Sequence, residues 1–149
     1  MTEKTSREAV KAFRARHGLT QNALDELLGF TSGGQAVARW ERVGAPYYVT
    51  LLIALVDQHG IEIMRQVSAR YGCRFVHGDD VLAFRERHRL SGAELDVLFG
   101  FSAKGNGRAT RRWEDRLGNG APPYVGIMMG YCDKHGLTTL EGLARGRND

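Results

Sequence analysis

Apolar residues fall at helical spacing along most of the chain. Val10 and Phe13 stand three apart, and Leu24, Leu27 and Leu28 recur at three and four in "QNALDELLG", which lines one face of a 3.6-residue helix. Ser6 and Thr20 precede these two segments and offer side-chain oxygens to the unpaired N–H groups of a helix start. A glycine-rich turn, "TSGG", leads into a third segment that ends near Trp40-Glu41. Pro46 is expected in the first turn of a fourth helix, where its missing N–H costs nothing. Val49, Leu52, Ile53 and Val56 make that helix apolar enough to form the back of a core. Residues 61–72 predict a fifth helix. No alternating strand pattern interrupts the series, so the expected fold class is all-α.

The whole series then recurs. "VKAFRARHGLTQNALDELLGF" (10–30) lies on "VLAFRERHRLSGAELDVLFGF" (81–101) without gaps at an offset of 71, with 12 of 21 positions identical. The offset grows to 73 at Trp40/Trp113 and 76 at Pro46/Pro122, so the second copy has two extra residues before Trp and three after Glu. Ser91 stands for Thr20 as a cap, and "TTLEGLAR" (138–145) is a shorter fifth helix. A period of this size marks a tandem duplication. Two bundles of about five helices are expected, at 1–75 and 76–149.

Charge adds a placement rather than a class. Lys+Arg number 21 against Asp+Glu 17, a net charge of +4 and a pI near 9.3. Lys104, Arg108, Arg111, Arg112 and Arg116 crowd into one stretch of the second copy. Cys73 and Cys132 are not repeat mates, and two lone thiols make neither a zinc quartet nor a disulfide framework; buried or half-buried thiols in a reducing compartment are expected. The N-terminus carries no apolar signal core, and no apolar run reaches the ~18 residues that a membrane span needs. His17/His88 and His59/His135 are repeat mates near helix ends, where they are expected to satisfy terminal carbonyls. No nucleophile triad, paired carboxylates or metal-ligand spacing emerges, so neither an enzyme, a metal nor a cofactor is expected.

The third segment carries the candidate chemistry. Gln35 and Arg39 are four apart and share one helical face, while Val37 turns inward and Trp40 packs across helices. Gln reads adenine and Arg reads guanine O6/N7 bidentately in a major groove. The matching face of the second copy carries Arg108 and Arg112, with Lys104 and Asn106 ahead and Arg111 beside. Arg42 and Arg116 follow the two Trp-Glu pairs.

"FRARHGLTQNALDELLGF…VARWERVGAP" resembles the Cro/repressor-type (XRE) helix-turn-helix regulators of bacteria and phages, over roughly residues 6–60 and 77–136. The resemblance implies two tandem Cro/repressor-like bundles, each with its third helix in a major groove. It further implies ion pairs between helix 1 and the end of helix 3, Arg14 with Glu41 and Arg85 with Glu114, and a phosphate contact from Gln21. The chain departs from the family in three respects. The turns before helix 3 are longer and glycine-rich, which brings Ser32 and Gly34 forward as candidate backbone contacts to phosphate, beside the alternative of a relaxed loop. Asp25 and Asp96 stand where the family has Ala, as expected caps of helix 3, beside the alternative that an exposed acid there would repel DNA. The second copy has Gly92 in place of Gln21 and Thr110 in place of Val37, so its recognition helix is expected to be less firmly seated.

The function expected is that of a sequence-specific double-stranded-DNA-binding transcription regulator, cytoplasmic and nucleoid-associated. It would repress by occupying a promoter, such as that of a prophage-like or gene-transfer operon. Two modules in one chain can cover two half-sites one helical turn apart; pairing with a second copy or a related regulator is compatible with this. The alternative is an antitoxin-like module in which one copy binds a partner protein.

Overall fold

The computed structural model describes residues 4–146, which are all-helical with no strand. The first copy comprises α1 (Arg7–Arg16), α2 (Gln21–Leu27), α3 (Gln35–Val43), α4 (Tyr47–His59) and α5 (Glu62–Tyr71). The second comprises α6 (Gly78–Arg87), α7 (Gly92–Leu98), α8 (Arg108–Glu114), α9 (Pro123–His135) and α10 (Thr138–Arg145), with a 3-10 turn at Ala103–Gly105 ahead of α8. Ser6, Thr20 and Ser91 cap as their positions predict: each side-chain oxygen accepts the N–H three residues on. The prolines differ from expectation. Pro46 and Pro122 sit one residue before the helix with extended ψ, and only Pro123 occupies the first turn. None of the helices is long and apolar enough to cross a membrane.

Each copy assembles in the same way. The third helix lies across the first two, α3 on α1 and α2, and α8 on α6 and α7. Phe30 meets Trp40 edge-on at 5.6 Å, as Phe101 meets Trp113 at 5.4 Å. An antiparallel bridge ties the residue two before helix 1 to the residue two before helix 4, Thr5 to Ala45 and Val76 to Ala121, with every N–H···O at 2.8 Å. His17 and His88 do not cap carbonyls with their rings. They face Asp57 and Asp133 on the fourth helices at 3.3 and 2.8 Å, beside Arg16–Asp57 and Arg87–Asp133 pairs at 2.7 and 2.9 Å.

The copies share one core. Tyr48 stacks on its own repeat mate Tyr124, with centroids 3.7 Å apart and planes 11° from parallel; His59 stacks on His135 at 4.0 Å and 6°. These pairs stand at the two ends of α4 and α9, eleven residues or about 16 Å apart along a helix. The fourth helices therefore run parallel about a pseudo-two-fold axis. Across it the fifth helices exchange: α5 packs on its own α2 and on α9, while α10 packs on its own α7 and on α4. The Tyr131 hydroxyl donates to the Gly60 carbonyl at 2.5 Å and accepts from the Met64 N–H at 3.4 Å, joining α9 to the start of α5. Gly130, where the first copy has Ala54, lets α5 approach, since a Cβ there would come within 2.9 Å of Val67; at Gly126, where the first copy has Thr50, a Cβ would come within 2.9 Å of Val76 in the connection to α6. The expected boundary at 75/76 falls in the connection between α5 and α6, but the buried apolar residues on either side form a single cluster.

Candidate nucleic-acid interface

Each third helix is seated by an acid. Asp25 is fully buried on α2 and accepts the N–H groups of Gly34 and Val37 at 2.9 and 3.0 Å, together with the Ser32 hydroxyl. Asp96, 2% exposed on α7, accepts from Ala109 N–H at 3.1 Å and from Thr110 N–H and Oγ1 at 2.8 and 2.7 Å. A helix begins with unpaired N–H groups and a partial positive charge, so a buried carboxylate there both satisfies and attracts. Neither Asp is exposed to repel a polyanion.

Thr110 corrects the expectation of a looser seat. It is 1% exposed, and its hydroxyl donates within the Asp96–Gly92 carbonyl pair at 2.7 and 3.1 Å. The hydroxyl replaces the apolar contact of Val37 with hydrogen bonds.

One glycine of each glycine-rich turn is packed into the fold, while Gly33 stays exposed with open space around it. Gly34 and Gly107 are buried at φ +99° and +84°, and a Cβ on them would meet Asn22 N at 3.1 Å and Ala93 N at 3.0 Å. Positive φ and close approach both call for glycine. These residues press the start of helix 3 onto helix 2, and Gly34 and Ser32 serve the fold there.

Ion pairs fix the other end of each third helix. Arg14 clasps Glu41 with two bonds, 2.7 and 3.1 Å, and its third nitrogen reaches the Leu19 carbonyl at 3.2 Å. Arg85 and Glu114 repeat this at 2.8 and 2.9 Å, with Leu90 at 3.3 Å. The Arg14 hydrogen bonds hold the Glu41 carboxyl below its ordinary range, with the Gln21 amide helping at 3.1 Å. Gln21 is thus partly committed to the scaffold. A carboxylate only accepts, so the Gln21 NH2 faces it, and one of its two N–H donors remains for an outward contact.

The outward faces are different in kind. Gln35, Arg39 and Arg42 on α3 are exposed, as are Lys104, Asn106, Arg108, Arg111, Arg112 and Arg116 around α8. Among the described residues none of these cations makes an ion pair, whereas the helix-1 arginines Arg14, Arg16, Arg85 and Arg87 all do. Arg111 turns back to the Asn106 carbonyl at 2.7 Å and stiffens the turn that carries Lys104. Both helices flank the same end of the pseudo-dyad. Trp40 lies edge-on to Tyr48 at 6.3 Å, and the Arg112 charge is felt at the Tyr124 phenol, which burial pushes up to about 12. No protein-family model, curated protein or solved structure matches the chain.

Sequence reasoning missed Leu117, which is 97% exposed at the tip of a turn closed by Gly118 N–H to Asp115 O at 3.0 Å. Its only signal is its place in the three-residue insertion after Glu114. Cys132 is buried, its thiol pushed up to about 12 by that burial, but Cys73 is exposed rather than half-buried because it lies in the connection after α5.

Proposed function

We propose that this protein is a sequence-specific double-stranded-DNA-binding regulator that acts as a covalently fused dimer and represses by occupying a promoter. One observation carries the reading. Two third helices, each seated by a buried acid and clasped by an arginine–glutamate pair, flank one end of an internal pseudo-dyad with outward cations that make no ion pair among the described residues. Duplex DNA has its own dyads, and paired half-sites mirror the symmetry of the reader. Because Gln35 and Arg39 face outward on one side and Arg108 and Arg112 on the other, the two half-sites differ. The first reads a mixed adenine and guanine sequence, and the second is guanine-rich or held largely through phosphate.

The test is fluorescence anisotropy with labelled duplexes over a salt series. The reading requires binding whose logarithm falls linearly with log salt, by about 0.9 for each phosphate neutralised, and a tighter association with a selected duplex than with its scramble. Absence of duplex binding at low salt, with a small protein co-purifying, would favour the antitoxin-like alternative.

A further inference from the structure

Duplication separates what holds the fold from what one copy has acquired. The Arg87–Asp133 and His88–Asp133 contacts repeat Arg16–Asp57 and His17–Asp57, so they belong to the shared scaffold. Beside Arg87 and Asp133 lies a cleft of about 220 Å3 between α5, α6 and α9, with Arg70, Tyr71, Asp80 and Met129 on its walls and Gly126 and Gly130 in its floor. These residues are not inherited. The repeat mate of Asp80 is Ala9, that of Arg70 is Gly146, and those of the two glycines are Thr50 and Ala54. A second hollow of about 200 Å3 shares Arg70, Tyr71 and Asp80 and continues past Phe75, itself 51% exposed.

Arg70 and Asp80 face the same space from different helices, yet among the described residues neither makes an ion pair. The Arg70 guanidinium instead lies 5.2 Å from the Tyr71 ring centroid. The charges on the walls balance, with Arg70 and Arg87 against Asp80 and Asp133. A neutral cleft in which Arg87 and Asp133 pair with each other while Arg70 and Asp80 stay apart suits a ligand that is itself neutral and carries both charges. The planar guanidinium fork matches a carboxylate, an aspartate accepts from an ammonium, and Tyr71 and Met129 offer apolar surface to whatever joins the two. The volume is below the roughly 300–1,000 Å3 of pockets for drug-sized ligands, which limits the occupant to a small molecule.

We propose that this cleft binds a free α-amino acid, with Arg70 on its carboxylate and Asp80 on its ammonium. The proposal does not depend on DNA binding. Calorimetric titration of the full chain with pools of L-amino acids, then with single members, tests it. Each binder is compared with its amide, which lacks the carboxylate, and its N-acetyl form, which lacks the ammonium. One-site saturable binding is expected for at least one amino acid. Amidation, acetylation, Arg70→Ala and Asp80→Asn should each weaken it about tenfold or more, the effect of losing one charge-assisted hydrogen bond. Arg65→Ala, on the same helix but outside the cleft, should leave it unchanged. All three side chains are exposed, so the variants should melt with the parent. No saturable heat from any amino acid at millimolar concentration would overturn the proposal, as would a binder that Arg70→Ala and Asp80→Asn both retain at full affinity.

Discussion

Replacing Asp96 by alanine removes the acceptor of three hydrogen bonds at the start of α8. Two come from the buried N–H groups of Ala109 and Thr110, and the third from the Thr110 hydroxyl, which keeps the Gly92 carbonyl as a partner. A buried donor left without an acceptor costs about 1–3 kcal/mol, so two such donors put the loss at about 2–6 kcal/mol. That is a large part of the roughly 5–15 kcal/mol that holds a typical native protein together. At about 2–4 °C per kcal/mol for a chain of this size, the melting temperature should fall by roughly 4–24 °C. Urea denaturation followed by far-ultraviolet circular dichroism gives the free energy directly. Asp96→Asn should lose less than alanine, because an amide oxygen in the place of Oδ1 still accepts from Thr110 and only the Ala109 N–H then faces a donor. Asp25→Ala should behave alike, since it frees the Gly34 and Val37 N–H groups and the Ser32 hydroxyl. A loss below about 1 kcal/mol for Asp96→Ala would refute the reasoning, because it is less than a single buried unsatisfied donor should cost.

Other outcomes follow from the same contacts. Glu41 has a folded pKa below its ordinary 4.5, so its pairing stabilises fully above that value and is lost as pH falls through the folded pKa. Glu41→Gln should therefore destabilise at neutral pH and flatten the acid limb of a stability–pH curve below about 4.5, while an unchanged acid limb would contradict the assignment. Tyr131→Phe removes both hydrogen bonds of the hydroxyl that joins the two copies and should cost about 1–3 kcal/mol, at about 0.5–1.5 for each, in the same urea titration. Residues 1–75 expressed alone should not fold cooperatively, because α5 loses the α9 surface on which it packs; a sharp thermal transition in that fragment would show the first copy to be independent. Arg108→Ala/Arg112→Ala should reduce the salt slope of duplex binding by as much as about 2 if both touch phosphate, and wild-type binding would remove α8 from the interface.

Local chemistry was readable in the sequence, and long-range geometry was not. Ser6, Thr20 and Ser91 announce helix starts because a cap acts over three residues, and the ion pairs Arg14–Glu41 and Arg85–Glu114 were expected only from the resemblance to the Cro/repressor-type regulators. Asp25 and Asp96 stood out because an acid replaces the Ala of the family at the junction of helices 2 and 3, where the third-helix N–H groups need an acceptor. Three features escaped because they depend on distant partners. Gln21 bonds to Glu41, twenty residues away, so its amide is not wholly outward. Thr110 looked like a weakened Val37 until Asp96 and the Gly92 carbonyl supplied partners for its hydroxyl. The repeat mates Tyr48/Tyr124 and His59/His135 are alike in sequence, but nothing local says that they stack on one another. That contact turns two predicted bundles into one core.

The central claim is that one chain reads two unlike half-sites, one under each third helix. Selection from a random duplex pool tests it most directly, with the parent protein, Gln35→Ala/Arg39→Ala and Arg108→Ala/Arg112→Ala run in parallel. The account predicts an enriched site of two dissimilar parts at fixed spacing, bound by one chain, with each variant blurring a different part. A single enriched part insensitive to one of the variants, or no enrichment at all, would contradict it.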